Sequence, residues 1–173
     1  MNSLEYVEKL KVISPTKEEI VASGITGIQA DLIFNSFNIN EKQKFVDYGN
    51  EVINLISNFN ITRIPLFGFT FENPEDEGEY VWVGSFEVFK VGINKKDKTL
   101  NAFDITDDLS FFCQCANDDK RFLDSMYLVC EYVSKMIKNN TDNNKTDSDL
   151  YKKLCTAAAG GSVNYDFFNV LIG

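Results

Sequence analysis

The fold of this chain is decided by residues 80–115, which read YVWVGSFEVFKVGINKKDKTLNAFDITDDLSFFCQC. Runs rich in β-branched and aromatic residues alternate here with short polar segments, which is typical of strands joined by tight turns. We predict a hairpin turn over 94–98 and strands over 80–83, 85–93, 100–105 and 109–115. The centre of the chain is therefore expected to be an antiparallel meander sheet.

The residues before this stretch lengthen the predicted sheet. Over 67–71, phenylalanines alternate with a glycine and a threonine, which favours a strand with one buried aromatic face. Residues 73–79 (NPEDEGE) combine a proline and a glycine with acidic residues, a composition that predicts a turn. We therefore expect an acidic turn that projects between two strands.

The N-terminal third has the pattern of helices. Residues 14–19 (SPTKEE) supply a cap, a proline and first-turn acids, and Gly24 is placed to end the helix. After Asn40, apolar residues at helical spacing predict a second, longer amphipathic helix. These residues are Phe45, Tyr48, Val52, Ile53 and Ile56.

The C-terminal third begins with the clearest helical pattern of the chain. Residues 117–119 (NDD) supply a cap and first-turn acids. The apolar stripe that follows comprises Phe122, Leu123, Met126, Val129, Cys130, Val133 and Ile137. We expect this stripe to pack on the sheet face that carries Leu109, Phe111 and Cys113, because a helix directly after a meander has few other places to bury it.

The last residues predict a loop, a helix and an apolar tail. Residues 139–149 include no apolar side chain, which predicts a mobile loop. A short helix is expected over 150–159, and the apolar tail over 167–172 can pack on its own domain or against a second copy in a homodimer. The whole pattern predicts a single α+β domain over 1–173, with a central antiparallel meander flanked by N-terminal and C-terminal helices.

Composition and charge limit the classes of partner. The chain has 173 residues, 44% of them hydrophobic, and a formal net charge of −9. A negative field repels phosphate backbones and anionic lipids, so no direct nucleic-acid or membrane partner is expected. The same field speeds encounter with basic proteins, although it also serves solubility alone. Four cysteines without a secretory signal predict reduced thiols and a cytoplasmic location.

The sequence offers little catalytic chemistry. It contains no histidine, which removes Ser-His and Cys-His nucleophile systems and the commonest transition-metal ligand. Cys113 and Cys115 supply half of a thiolate site, but Cys130 and Cys155 stand alone, so core thiols are the favoured interpretation. We predict no catalytic residue, no bound metal and no cofactor.

Two acidic groups are the candidates for contact with a partner. The first is the run formed by Glu72, Glu75, Asp76, Glu77 and Glu79, and the second is formed by Asp104, Asp107 and Asp108. Such groups also occur in solvated turns, and the second has the carboxylates to hold a hard cation or do acid-base work. Trp82 and the aromatic residues near it fit either the core or a protein interface.

Residues 64–128 resemble the SUKH superfamily, whose bacterial members are largely immunity proteins encoded beside polymorphic toxins. The similar segments are 80–85 (YVWVGS), 88–91 (VFKV), 101–104 (NAFD) and 111–117 (FFCQCAN), the last leading into the helix that starts with 120–123 (KRFL). The resemblance implies a helix-flanked antiparallel sheet and a toxin-neutralising role. It carries over no catalytic residue.

Three functions follow from these observations. The first is a stoichiometric immunity protein that binds a protein toxin, such as a nuclease domain with a basic cleft, because opposite potentials speed capture. The second is a small metal-dependent hydrolase that uses Asp104, Asp107 and Asp108, with Glu87 nearby. The third is a non-catalytic scaffold or regulatory subunit. A large secreted multidomain protein encoded next to this chain would favour the first.

Overall fold

A five-stranded antiparallel sheet forms the centre of the computed structural model, which describes residues 1–42, 44–64, 66–139 and 145–173. Its strands follow one another in chain order, as the meander prediction requires. They are β1 (Thr70–Glu77), β2 (Tyr80–Phe86), β3 (Phe89–Asn94), β4 (Leu100–Asp104) and β5 (Ser110–Ala116). Consecutive strands pair side by side, so β1 and β5 lie at opposite edges.

Helices precede and follow the sheet, so the predicted α+β class is confirmed. Before it lie α1 (Ser3–Ile13), α2 (Lys17–Ala22), α3 (Ile28–Phe37) and α4 (Glu51–Asn58). After it lie α5 (Asp119–Asn139), α6 (Lys145–Ala159) and α7 (Tyr165–Ile172). The predicted start of α2 at Ser14 and Pro15 is two residues early, because Pro15 lies before the helix and Thr16 caps it, forming a reciprocal capping box with Glu19.

The second predicted helix is wrong in its first half. Helix α4 begins only at Glu51, where the Asn50 side chain accepts hydrogen bonds from the first turn. The preceding residues are held in an irregular path by asparagines of the helix, because Asn58 accepts from the Val46 N–H and Asn54 from the Tyr48 N–H. Local side-chain hydrogen bonds therefore replace helical ones before α4.

The first strand starts and ends later than predicted. Leu66 and Gly68 have φ of 68° and 72°, so the chain turns there, and the Ile64 N–H donates to the Phe69 carbonyl across that turn. Strand β1 then continues through Glu77, and only residues 78–79 form the turn that the sequence placed over 73–79. The register of β1 shifts between Phe71 and Glu75, and Pro74 lies within this irregularity of an edge strand.

Helix α5 buries its predicted apolar stripe, but the sheet contacts differ from those expected. The Phe122 ring lies 5.8 Å from Phe69 and 6.3 Å from Phe167. Cys113 is buried as predicted, whereas Leu109 and Phe111 are exposed, so their predicted burial is wrong. Leu109 is exposed because it lies in the turn before β5. For Phe111 the cause is a bulge in β5, where Phe103 pairs with Phe111 but Ala102 pairs with Cys113, which leaves one extra residue between them.

The C-terminal tail packs on its own domain. Phe167, Phe168, Leu171 and Ile172 are buried in the same core as the sheet, and the Phe167 ring contacts the Phe86 ring at 5.2 Å. The predicted loop over 139–149 is wrong for 145–149, which belong to α6, while 140–144 lie outside the described residues. In α6, Asp147 pairs with Lys135 of α5.

Candidate functional site

The two faces of the sheet have different surroundings. On the inner face, Val91, Ala102 and Cys113 are paired neighbours and belong to the core that the helices share. On the outer face, Lys90 pairs with Phe103, which pairs with Phe111. This outer face is the candidate functional site, because most of the acidic residues singled out in the sequence lie on it or at its rim.

Four aromatic rings form a cluster on the outer face. Tyr80 and Trp82 stack with 5.4 Å between ring centroids, and Phe103 meets both rings edge-on at 4.8 and 5.6 Å. Phe111 continues the cluster at 5.9 Å from Phe103. The indole also lies over Gly92, where a Cβ would come within 2.7 Å of the ring. We call Tyr80, Trp82, Phe103 and Phe111 the outer aromatic cluster.

No buried helical side chain belongs to this cluster in the part of the chain that the structure describes. Every buried apolar residue of the helices lies in the inner core, and neither Trp82 nor Phe103 belongs to that core. Phe111 is 62% exposed. The sequence did not decide whether these aromatic residues belong to the core or to an interface. In the structure, Phe69, Phe71 and Phe86 belong to the core, whereas the outer aromatic cluster faces away from the helices.

The acidic run on β1 lies at the edge of the outer face, and its carboxylates have partners within the chain. The Glu75 Oε2 atom forms an ion pair with Lys90 Nζ at 3.5 Å, and the Asp76 carboxylate forms an ion pair with Lys95. The Trp82 indole N–H donates to Glu77 at 3.0 Å. Lys90 Nζ also lies 4.7 Å from the Trp82 ring centroid, so one lysine serves both the ring and a carboxylate.

The other two acids of that run, Glu72 and Glu79, also do not lie in a free projecting loop. Glu72 accepts a hydrogen bond from the Ser85 hydroxyl of β2. Glu79 lies in the β1–β2 turn, and its carbonyl accepts from the Lys95 N–H at 2.9 Å. Two acids of the run thus already have lysine partners, from β3 and from the β3–β4 turn, which weakens the case for the run as a contact surface for a basic protein.

The second acidic group lies at the opposite end of the sheet. Asp104 ends β4, while Asp107 and Asp108 lie in the β4–β5 turn. Asp104 Oδ1 accepts from the Thr106 hydroxyl at 2.6 Å and from the Thr106 N–H at 2.7 Å, which lowers the pKa of Asp104. Because β1 and β5 are opposite edges, the fold does not bring the two acidic groups into one site.

The described residues give little support for a catalytic or metal centre. No group of three or more cysteine or acidic side chains among them is placed to hold a metal ion. All four cysteines are buried and free, and burial raises the pKa of Cys115 and raises that of Cys130 to about 12, so neither thiol is primed as a nucleophile. The prediction that these cysteines are core thiols is thus confirmed.

One further cleft lies away from the sheet. It measures about 230 Å³ and is lined by Gln29, Leu32, Ile33, Ser36, Arg63 and Leu66. This is below the usual volume of a ligand pocket, about 300–1,000 Å³.

In the described ranges, the structure contains no helix with the length and hydropathy needed to cross a membrane.

Comparison of the chain with protein-family models, with curated proteins and with solved structures finds no match.

Proposed function

We propose that this chain is a toxin-neutralising immunity protein that acts by stoichiometric binding of a basic protein, without catalysis. The observation that carries the proposal is the outer aromatic cluster, four rings on a sheet face that no buried helical side chain joins, with carboxylates at its rim. Aromatic rings are enriched at the centres of protein interfaces, and charged residues at their rims.

The charge narrows the partner to a basic protein. A formal net charge of −9 raises the encounter rate with a cationic surface and lowers it with nucleic acid. The resemblance of residues 64–128 to the SUKH superfamily narrows the class of partner further to a protein toxin, such as a nuclease domain with a basic cleft. Four buried, free cysteines suit the reducing cytoplasm, where such a protein would meet its toxin.

The test is co-expression with the toxin domain of a secreted protein encoded beside this chain. We expect growth to be restored, and the purified proteins to form a complex of fixed stoichiometry. Titration of the toxin activity then separates binding from catalysis: a stoichiometric inhibitor at half the molar amount leaves half of the activity, whereas a hydrolase that destroys the toxin leaves none in time. Absence of both complex and protection would contradict the proposal.

The hydrolase alternative is tested in the same titration. If Asp104, Asp107 and Asp108 held a catalytic cation, a chelator would abolish protection, and Asp107→Asn would do so as well. Under the binding proposal, protection and stoichiometry are unchanged by the chelator. A chelator-sensitive, substoichiometric effect would replace the binding proposal with the hydrolase.

A further inference from the structure

Exposed apolar side chains collect at one end of the sheet, where the β2–β3 and β4–β5 turns meet. The two turns are joined by a 3.0 Å hydrogen bond from the Ile105 N–H to the Val88 carbonyl. The exposed residues are Val88, Ile105, Leu109, Phe111 and Phe112. We call these five residues the apolar tip. Five large apolar side chains in one place exceed the scattered single residues that a protein surface ordinarily shows.

The β5 bulge places two aromatic residues of the tip on different faces of the sheet. Phe111 lies on the outer face, whereas the Phe112 ring stacks at 4.4 Å on Phe89, which packs against the inner core. Asp108 and Leu109 follow each other with φ of 49° and 57°, a left-handed conformation that is unfavourable for leucine. The β4–β5 turn therefore carries a strained residue whose side chain is exposed.

The charges around the apolar tip are not compensated by the chain itself. Its acidic rim consists of Glu87, Asp104, Asp107 and Asp108. None of these carboxylates has a lysine or arginine nitrogen within 4.0 Å in the described part of the chain. In the β1 run, Lys90 and Lys95 pair with Glu75 and Asp76, two of its five acids. None of the four acids at the tip has such a partner among the described residues.

These charges indicate whether the apolar tip binds a second copy of the chain or a different protein. A two-fold contact through the tip would place the same four carboxylates of each copy against one another, in a chain whose net charge is −9. A surface with an apolar centre and a rim of lysines or arginines instead satisfies both the apolar side chains and the acids. Charge complementarity therefore favours a basic partner protein.

We propose that the apolar tip is the main contact surface for a basic partner protein, whose lysine or arginine side chains meet the acidic rim. This inference rests on the proposed function, since it names the part of the outer face that the partner contacts. The apolar side chains contribute most of the affinity, with Phe111 as the central residue, and the carboxylates mainly speed association. The β1 run has a smaller role.

The experiment uses a phage-displayed library of random peptides, selected on the immobilised full-length chain. We expect the enriched peptides to carry net positive charge together with an aromatic or large aliphatic residue. Their affinity for Phe111→Ser should fall about tenfold or more, a loss of about 1.4 kcal/mol or more. The matched control is Val12→Ser in α1, which removes a more exposed apolar side chain and should leave the affinity unchanged.

Two further variants locate the binding within the sheet. Asp107→Asn with Asp108→Asn should slow peptide association and flatten its salt dependence, whereas Glu75→Gln with Asp76→Asn should change it little. Thermal unfolding checks that every variant is folded. No enriched peptide, peptides without a positive excess, or peptides indifferent to Phe111→Ser would overturn the inference. Peptides that bind the tip while the chain gives no protection from a toxin would instead overturn the proposed function and leave the tip intact.

Discussion

The two faces of the same sheet carry aromatic rings in different roles. On the inner face, Phe69 and Phe86 are buried and contact rings of α5 and α7. On the outer face, Trp82 and Phe103 are shielded mainly by one another and by neighbouring strands, and Phe111 is left exposed. Burial against helices stabilises the fold, whereas Phe111, the exposed ring of the outer face, is available to a partner.

This comparison predicts very different tolerance to a buried charge. Met126→Asp places a carboxylate in a fully buried position of α5 and should unfold the domain, at a cost of about 4 kcal/mol or more. Phe111→Asp adds the same charge to the outer face and should leave the domain folded. Chemical denaturation of both variants measures the difference, and unchanged stability of Met126→Asp would show that the buried face of α5 is assigned wrongly.

A smaller effect is expected from two glycines that lie under aromatic rings. A Cβ on Gly84 would lie 2.6 Å from the Thr70 carbonyl oxygen and 2.9 Å from the Phe69 ring. On the inner face, the added methyl group would therefore press on the backbone and on a packed core ring, neither of which can move away easily. The atoms nearest to a Cβ on Gly92 would be side-chain atoms of Trp82 and Tyr80, and the indole, although buried, lies outside the core formed with the helices and can shift more readily.

Gly84→Ala should therefore cost more than Gly92→Ala, within the range of about 1–3 kcal/mol for overpacking. Only Gly92→Ala should change the fluorescence of Trp82, the single tryptophan of the chain. Equal losses in urea denaturation, or a fluorescence change in Gly84→Ala alone, would contradict the assignment of the two faces.

The parts of the fold that local pattern determines were predictable from the sequence. The seven residues of the α5 stripe repeat at helical spacing, and the central strands form the predicted meander. The first hairpin was placed wrongly, because β2 continues through Gly84 to Phe86 and the turn lies at 87–88, inside the strand predicted over 85–93. The start of α4 was not predictable in this way, because it depends on hydrogen bonds that the Asn54 and Asn58 side chains accept from backbone N–H groups before the helix.

The candidate site was predictable only as a set of acids. The exposure of Phe111 depends on the register between β4 and β5, and a slip of one residue moves a side chain to the other face. Likewise, the pairing of Glu75 with Lys90 joins β1 to β3, which no local pattern indicates. The sequence therefore could not distinguish the two acidic groups as contact surfaces. In the structure they differ, because two acids of the β1 run pair with lysines and the acids of the β4–β5 turn do not.

The strained turn at the tip predicts a gain in stability. Asn tolerates the left-handed conformation better than leucine, so Leu109→Asn should stabilise the domain by about 1 kcal/mol. Leu66→Asn is a matched control, because Leu66 is also exposed and left-handed but lies away from the tip. Both variants should raise the thermal midpoint, and only Leu109→Asn should weaken binding of the selected peptides. Equal binding by both would remove Leu109 from the contact surface.

The smallest expected effect compares two turns with the same motif. Asp97 and Thr99 in the β3–β4 turn repeat the arrangement of Asp104 and Thr106, since the threonine hydroxyl and N–H donate to the aspartate at 2.7 and 3.0 Å. These hydrogen bonds are the main reason that the pKa of both aspartates is lowered, and Lys96 lowers that of Asp97 slightly further. No lysine contributes to the lowered pKa of Asp104.

Thr106→Val removes the hydroxyl donor and should raise the pKa of Asp104 toward its ordinary value, as Thr99→Val should for Asp97. A lowered folded-state pKa stabilises the fold above the unfolded-state pKa, and that contribution is lost as pH falls through the folded-state value. NMR titration of both side chains measures these shifts. A pKa of Asp104 that stays unchanged in Thr106→Val, while that of Asp97 rises in Thr99→Val, would show that the two turns do not hold their aspartates in the same way.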